Sequence, residues 1–178
     1  RISIERRCNF NPPCVYCDWE YVKNLEKKID SGEFSLPLFD ELGQYYENAA
    51  EVVDCSHGEP FLHPEIGKIL EKLSADKKHF EFTTNGSLLN AQNQELLLGK
   101  DVHMYVSIDA SNEVTYSHYR NNCFNLIVEN LKTLCKKKRQ HENLPEVTVS
   151  FLAMTSNYHE IRDFIILCKN QCQNSKCL

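Results

Sequence analysis

The sequence predicts an α/β fold built from five β-α units around a parallel sheet. Three observations carry this expectation. Strand-like and helix-like segments alternate along the chain. The 178 residues divide into units of about 36, enough for a strand, a turn and a helix. Four consecutive strands end in polar or sulfur-bearing residues, and strand ends are where such folds gather ligands. The sheet can close as an open doubly wound layer or as a barrel. A full eight-unit barrel needs about 250 residues, so this chain reaches only a partial (β/α) barrel.

Residues 1–7 read as the first strand, running into the first cysteines. Residues 36–49 form a helix, with Leu36, Phe39, Leu42 and Tyr46 at three-to-four spacing. Residues 51–55 make a short strand. Residues 64–73 make a helix with Ile66, Ile69, Leu70 and Leu73 on one face. The strand at 79–84 stops at Asn85-Gly86, a strong turn signal. A short helix at 89–98 leads to the strand at 102–108. The helix at 123–138 presents Phe124, Ile127, Leu131 and Leu134 on one side. Pro145 precedes a strand at 147–154, and residues 158–171 form the last helix.

The bulk properties exclude several classes. A net charge of −5 offers no broad attraction to nucleic acid or an anionic bilayer. The basic run at 136–139 reads as the solvated end of a helix, where cations suit the dipole. There is no apolar run of about 18 residues, so no membrane-spanning helix is expected. The chain opens on Arg1 directly before a strand-like Ile2-Ser3-Ile4, so it is expected to begin within a longer sequence. Nine cysteines, an odd number, in a core-rich chain point to metal or redox work in a reducing, cytoplasmic setting.

Cys8, Cys14 and Cys17 lie on one loop, stiffened by Pro12-Pro13. Thiolates bind iron–sulfur clusters, usually four per cluster. Three would leave one iron open to a small chelating molecule. Two plainer readings exist. Zinc wants four ligands, and only one Cys-x-x-Cys pair is present. A redox dithiol would use Cys14 and Cys17 and leave Cys8 unexplained. The later strands end in His57-Gly58-Glu59-Pro60, in Thr83-Thr84-Asn85-Gly86 and in Ser107-Ile108-Asp109-Ala110-Ser111.

In this order these segments resemble the radical S-adenosylmethionine (radical SAM) superfamily. The cysteine triplet with Tyr16 before its last member resembles the cluster motif. The segment from His57 to Pro64 resembles the family's Gly-Gly-Glu-Pro segment. Thr84-Asn85-Gly86 resembles its third-strand signature, and Ser107-Ile108-Asp109-Ala110-Ser111, followed by Tyr116 and Arg120, resembles its fourth-strand and following-helix signature. The resemblance implies a partial barrel with about five of six β-α units, residues 1–178 forming a core domain cut before the sixth strand. It implies an enzyme with a [4Fe–4S] cluster on Cys8, Cys14 and Cys17, its unique iron chelated by SAM. An external electron donor reduces the cluster. Reductive cleavage then yields methionine and a 5′-deoxyadenosyl radical that takes hydrogen from a substrate, either a peptide or a small molecule of cofactor biosynthesis. The alternative is an iron–sulfur or zinc module without SAM catalysis.

The resemblance also implies roles. Tyr16 shapes the adenine end of the pocket. Gly58 lets backbone approach closely. Glu59 accepts from the SAM ammonium, and Pro60 fixes the bend. Asn85 makes polar SAM contacts. Ser107 and Asp109 share a strand face with Tyr105 and suit ribose hydroxyls or the carboxylate. Arg120 matches the SAM carboxylate with its guanidinium fork. The plainer readings are a helix-capping turn at Ser107 and Asp109, a surface ion pair at Arg120, and a helix cap at Glu59. The chain departs from the family pattern in two places. Five residues separate Cys8 from Cys14 where three are usual, and His57 replaces a glycine. His57 either meets substrate or bonds within the loop. Cys168, Cys172 and Cys177 are ordinary thiols or ligands of an auxiliary cluster. Cys55, Cys123 and Cys135 are expected to be structural.

Overall fold

The computed structural model describes residues 1–18, 34–138 and 145–171. Its centre is a parallel sheet of β1 (Glu51–Val53), β2 (His79–Thr84), β3 (Val102–Ser107) and β4 (Glu146–Ser150), paired in sequence order. Helix α1 (Leu36–Tyr46) precedes β1, and α2 (Ile66–Ala75), α3 (Ala91–Glu95), α4 (Glu113–Tyr119), α5 (Phe124–Lys138) and α6 (Ile161–Gln171) run between or after the strands. Short 3₁₀ turns occupy Pro60–Leu62 and Tyr158–Glu160. The protein has the α/β, partial (β/α)-barrel architecture that the alternation predicts.

The alternation within strands decides which face meets the helices. Along β3, Val102, Met104 and Val106 are buried, whereas His103, Tyr105 and Ser107 are half-buried. Along β2, buried Phe80 and Phe82 alternate with half-buried His79 and Glu81. The apolar set joins Ile69, Leu70 and Leu73 of α2 with Ile127, Leu131 and Leu134 of α5 in one core. The other set lines the polar interior of the partial barrel. Residues three and four apart on α2 and α5 fall on one face, so their apolar positions reach the sheet together.

The first strand is much reduced. Ile2 alone bridges to Asp54, through Ile2 N–H to Val53 O (2.9 Å) and Cys55 N–H to Ile2 O (2.7 Å). Beyond it, side chains replace the ladder. The Ile4 amide donates to Asp54 Oδ1 (3.2 Å) and Ser56 Oγ (2.9 Å), and the Glu5 amide to Ser56 Oγ (3.0 Å). The chain leaves the sheet here and turns into the cysteine loop.

Two further differences concern helices. Residues 113–119 form α4, capped by Asn112 Oδ1 accepting from Thr115 N–H (3.0 Å), although no apolar periodicity marks it. The helix expected at 64–73 runs over Ile66–Ala75 as α2, and a separate 3₁₀ turn at Pro60–Leu62 precedes it. At the end of α5, Lys137 pairs with Glu95 of α3, so part of the basic run joins two helices. Arg139, Cys172, Cys177 and the strand start at 176–178 lie outside the described residues. Among the described residues, no helix is long and apolar enough to cross a membrane.

Candidate active site

The cysteine loop is tied to the carboxyl end of the sheet at several points. Cys17 N–H donates to Cys14 O (2.9 Å), a turn that sets these two residues together. Val15 N–H donates to Tyr119 O (2.8 Å) at the end of α4. Asn9 accepts from Asn85 Nδ2 (2.9 Å) and donates to Ser87 Oγ (2.9 Å), beyond β2. Phe10 is buried. Cys8 and Cys14 are half-buried and Cys17 is exposed. Burial pushes the Cys8 thiol up, and Glu59, Cys14 and Cys17 nearby add to the shift. A bound cation reverses that balance, because a coordinated thiol is deprotonated outright.

Glu59 links the loop after β1 to the end of β2. Its carboxylate is buried and accepts from Thr84 Oγ1 (2.7 Å) and Asn85 N–H (2.7 Å). Burial pushes Glu59 up to about 7, against the hydrogen bonds from Asn85 and Thr84 and the charge of Arg120. Glu59 also caps the 3₁₀ turn through Phe61 N–H (3.5 Å), so the plain capping reading holds alongside the link. Asn85 in turn aims Nδ2 at Cys8 Sγ (4.0 Å) and accepts from Ser87. The end of β2 therefore reaches the first cysteine.

The end of β3 reaches the other two. Asp109 has a left-handed backbone, φ 62°, which short polar side chains tolerate best. This bend turns its carboxylate back toward the sheet. Asp109 Oδ1 accepts from Leu152 N–H (2.6 Å), and Oδ2 accepts from Tyr16 Oη in the cysteine loop. Arg120 Nε lies 3.6 Å from Asp109 Oδ2, and Nη1 donates to Ser107 O. The guanidinium sits 5.9 Å from the Phe10 ring centre and 6.0 Å from that of Tyr16. The Arg120 side chain is 9% exposed, which rules out a surface pair. Ser107 Oγ accepts from Ser150 Oγ (3.3 Å). The helix cap here is Asn112, so Ser107 and Asp109 are not the capping turn.

Gly58 is needed for packing against the first segment. A Cβ there would lie 2.5 Å from Glu5 O and 2.7 Å from Arg7 O, both backbone atoms. The Glu59 amide donates to the same Arg7 O (2.8 Å). Close approach is thus real, and the approaching group is the segment that carries Cys8. A Gly58→Ala variant is expected to lose about 1–3 kcal/mol by overpacking. Thermal unfolding should show a fall of several degrees, with less iron retained after reconstitution. Pro60 opens the 3₁₀ turn and is buried. His57 Nδ1 pairs with Asp18 Oδ1 at 3.2 Å, beside Cys17, with both side chains more than half exposed. That contact joins the loop after β1 to the cysteine loop.

Two residues that sequence reasoning missed hold this end together. Asn157 is fully buried and donates to Asp109 O (2.9 Å) and Leu152 O (3.0 Å). Glu160 accepts from Ser111 N–H (2.8 Å), Ser111 Oγ (2.9 Å) and Thr115 Oγ1. Burial raises the Glu160 carboxyl, but those donors outweigh it and leave the group lowered. Its stabilisation is therefore present above the unfolded value and lost as pH falls through the folded one. Glu160→Gln is expected to cost about 1–3 kcal/mol at pH 7 and to flatten the loss of stability below about pH 5. Urea midpoints against pH check this, and parallel curves for the two proteins would contradict it.

The remaining cysteines are packing groups or bystanders. Cys135 is buried, and Cys168 is buried in α6 with its thiol pushed up to about 11 by burial, an inert setting. Cys123 is half-buried against Tyr116 Oη (3.6 Å). Cys55 is exposed, contrary to the structural role expected of it.

A family model for the radical SAM superfamily matches residues 2–168, and the chain belongs to that family. A probable GTP 3′,8-cyclase of Methanococcus maripaludis (strain C7) is 26% identical over 176 residues, covering 95% of this chain and 54% of its own length. The chain spans about half the length of the curated relatives it matches. Streptococcus suis SuiB bound to S-adenosylmethionine shares the fold with a TM-score of 0.71 and 12% identity, over 96% of this chain and 37% of its own. SuiB bound to its precursor peptide SuiA gives a TM-score of 0.62 and 16% identity, over 96% and 36%.

The residues present fit the family's [4Fe–4S] cluster and SAM. The donor set is three thiols on one docked loop. Structural zinc takes four ligands, and this loop supplies three thiols. Arg120 Nε is buried without a hydrogen-bond acceptor, with the Asp109 carboxylate 3.6 Å away.

Proposed function

We propose that the chain is a radical SAM enzyme core that holds a [4Fe–4S] cluster on Cys8, Cys14 and Cys17 and cleaves SAM reductively. When bound, the cluster and SAM supply the electron transfer that breaks a sulfonium C–S bond and releases a hydrogen-abstracting 5′-deoxyadenosyl radical. The single observation behind this reading is the convergence of β2 and β3 ends on the cysteine loop, with a buried Arg120 whose Nε lacks an acceptor.

In this reading residues 1–178 act as one core domain. Arg120 offers the SAM carboxylate its guanidinium, a geometry lysine cannot reproduce. Asp109 holds Tyr16 and Arg120 in place, and Tyr16 walls the adenine end. Ser107 serves the ribose hydroxyls. Gly58, Glu59 and Pro60 form the ledge for the SAM ammonium. Glu59 keeps lone pairs beyond those used by Thr84 and Asn85, since each carboxylate oxygen accepts twice. Asn85 donates toward the Cys8 sulfur, and such bonds tune cluster potential. The same reading sets the protein in the cytoplasm, where cysteines stay reduced.

Two substrate classes follow from the relatives. The cyclase relative makes a purine nucleotide the first to offer, and SuiB a peptide the second. Both rest on likeness alone. Anaerobic reconstitution with iron and sulfide, followed by SAM and dithionite, tests the reading. 5′-Deoxyadenosine and methionine are expected. Bound iron without either product would favour a metal module that lacks SAM catalysis.

A further inference from the structure

We propose that His79, Glu81 and His103 form a second metal site, for a divalent transition-metal ion and Zn²⁺ above all, at the amino-terminal end of the sheet. The sheet itself assembles the set. His79 opens β2, and Glu81 follows two residues later on the same face. Glu81 lies directly opposite His103 of β3 in the parallel register. All three side chains point into the polar interior, away from the helices.

The spacing suits one ion. His79 Nε2 lies 3.5 Å from Glu81 Oε1, and His103 Nδ1 lies 3.6 Å from the same oxygen. The three ligand atoms are mutually within 4.8 Å, the one such set of three or more among the described residues. Tetrahedral zinc with bonds of about 2.0–2.2 Å separates its ligand atoms by ~3.3–3.6 Å. The side chains are 31%, 23% and 14% exposed, so an ion can enter a site that is still partly shielded.

The outer contacts are those of a metal site. His79 Nδ1 faces Asp101 Oδ1 at 2.7 Å. A carboxylate on one ring nitrogen fixes the tautomer and aims the other nitrogen's lone pair outward. That nitrogen then faces the Glu81 carboxylate at 3.5 Å, so either a second ring proton or a bound cation lies between them. His103 Nε2 bonds Thr148 Oγ1 (2.8 Å) on β4, which leaves Nδ1 turned toward Glu81. Tyr105 Oη donates to Glu81 Oε2 (3.5 Å) and holds Oε1 toward the histidines. Two histidines and a carboxylate, with a coordination position left open, form a familiar zinc donor set.

The site is separate from the cysteine loop. Glu81 precedes Asn85 by four residues, about 13 Å at ~3.3 Å per residue along β2. An ion here would tie β2 to β3 at the end opposite the loop, with its open position facing the barrel interior.

Cobalt(II) titration of a full-chain Cys8→Ala, Cys14→Ala, Cys17→Ala variant tests the site without relying on the cluster. One Co²⁺ per chain is expected, with visible d–d bands and no thiolate-to-cobalt charge transfer, and one equivalent of Zn²⁺ should displace it. Adding Glu81→Gln, which keeps the side chain's shape, should weaken binding at least tenfold, and His103→Ala likewise. No retained cobalt, a thiolate charge-transfer band, or equal binding by the Glu81→Gln protein would overturn the proposal. Failure here leaves 5′-deoxyadenosine formation untouched, and failure of SAM cleavage leaves the cobalt result standing.

Discussion

A Cys14→Ala protein, reconstituted anaerobically, is expected to keep almost no iron and to form 5′-deoxyadenosine at least ~100-fold more slowly than the parent. Losing even a contact that only orients a metal ligand costs about 10–100-fold in metal affinity, and here a ligand itself goes. Among the described residues the other thiols are poorly placed to substitute. Cys123 is half-buried against Tyr116, and Cys135 and Cys168 are buried in helices. Cys17→Ala is expected to behave the same way, because Cys17 N–H to Cys14 O fixes the two as one turn. Cys8→Ala is the sharper variant, since the five residues before Cys14 make Cys8 the unusual member. Its position beside Asn85 Nδ2, at 4.0 Å, predicts equal loss. Cys55→Ser changes an exposed thiol whose Sγ faces Val53 O at 4.0 Å and is expected to leave iron content and product formation unchanged. Iron and sulfide content, read together with 5′-deoxyadenosine, decide all four variants.

An Arg120→Ala protein is expected to be less stable by about 3–5 kcal/mol and to lose measurable SAM binding. Removing one partner of a buried ion pair strands the other, and Asp109 is 3% exposed. The guanidinium also bonds Ser107 O and packs between Phe10 and Tyr16, so its loss loosens the cysteine loop and the end of β3 together. Arg120→Lys separates charge from shape. It restores a cation beside Asp109 but not the planar fork. Stability should recover in part, whereas SAM affinity should stay at least ~10-fold below the parent. Urea midpoints and equilibrium SAM binding read the two effects separately. Full recovery of SAM affinity by lysine would show that only the charge mattered.

What the sequence revealed follows physical range. The helices α2 and α5 and the strands β2 and β3 announce themselves through local periodicity, because each has one apolar face on one core. The strand ends were legible for the same reason: once strands are placed, their termini are placed. The first strand was overestimated because Asp54 and Ser56, some 50 residues away, take the backbone donors that a ladder would use. Helix α4 was marked only by the resemblance, as the helix that follows residues 107–111, since seven residues with Tyr116 and Tyr119 as the buried pair give no apolar repeat. Tyr16, Asp109 and Arg120 were each singled out, yet their contact depends on the left-handed turn at Asp109. Asn157 and Glu160 carry no motif, and they act on residues more than 40 positions earlier. The meeting of Glu81 with His103 needs the exact register between β2 and β3, which no local pattern specifies.

The central claim is that three cysteines on one loop hold a cluster with a single open iron. Mössbauer spectroscopy of the reconstituted ⁵⁷Fe protein, before and after SAM, tests it most directly. The account predicts four irons per chain in a three-to-one pattern, with the lone component shifting when SAM is added. Four equivalent irons that ignore SAM, or tight zinc with no sulfide uptake, would contradict it.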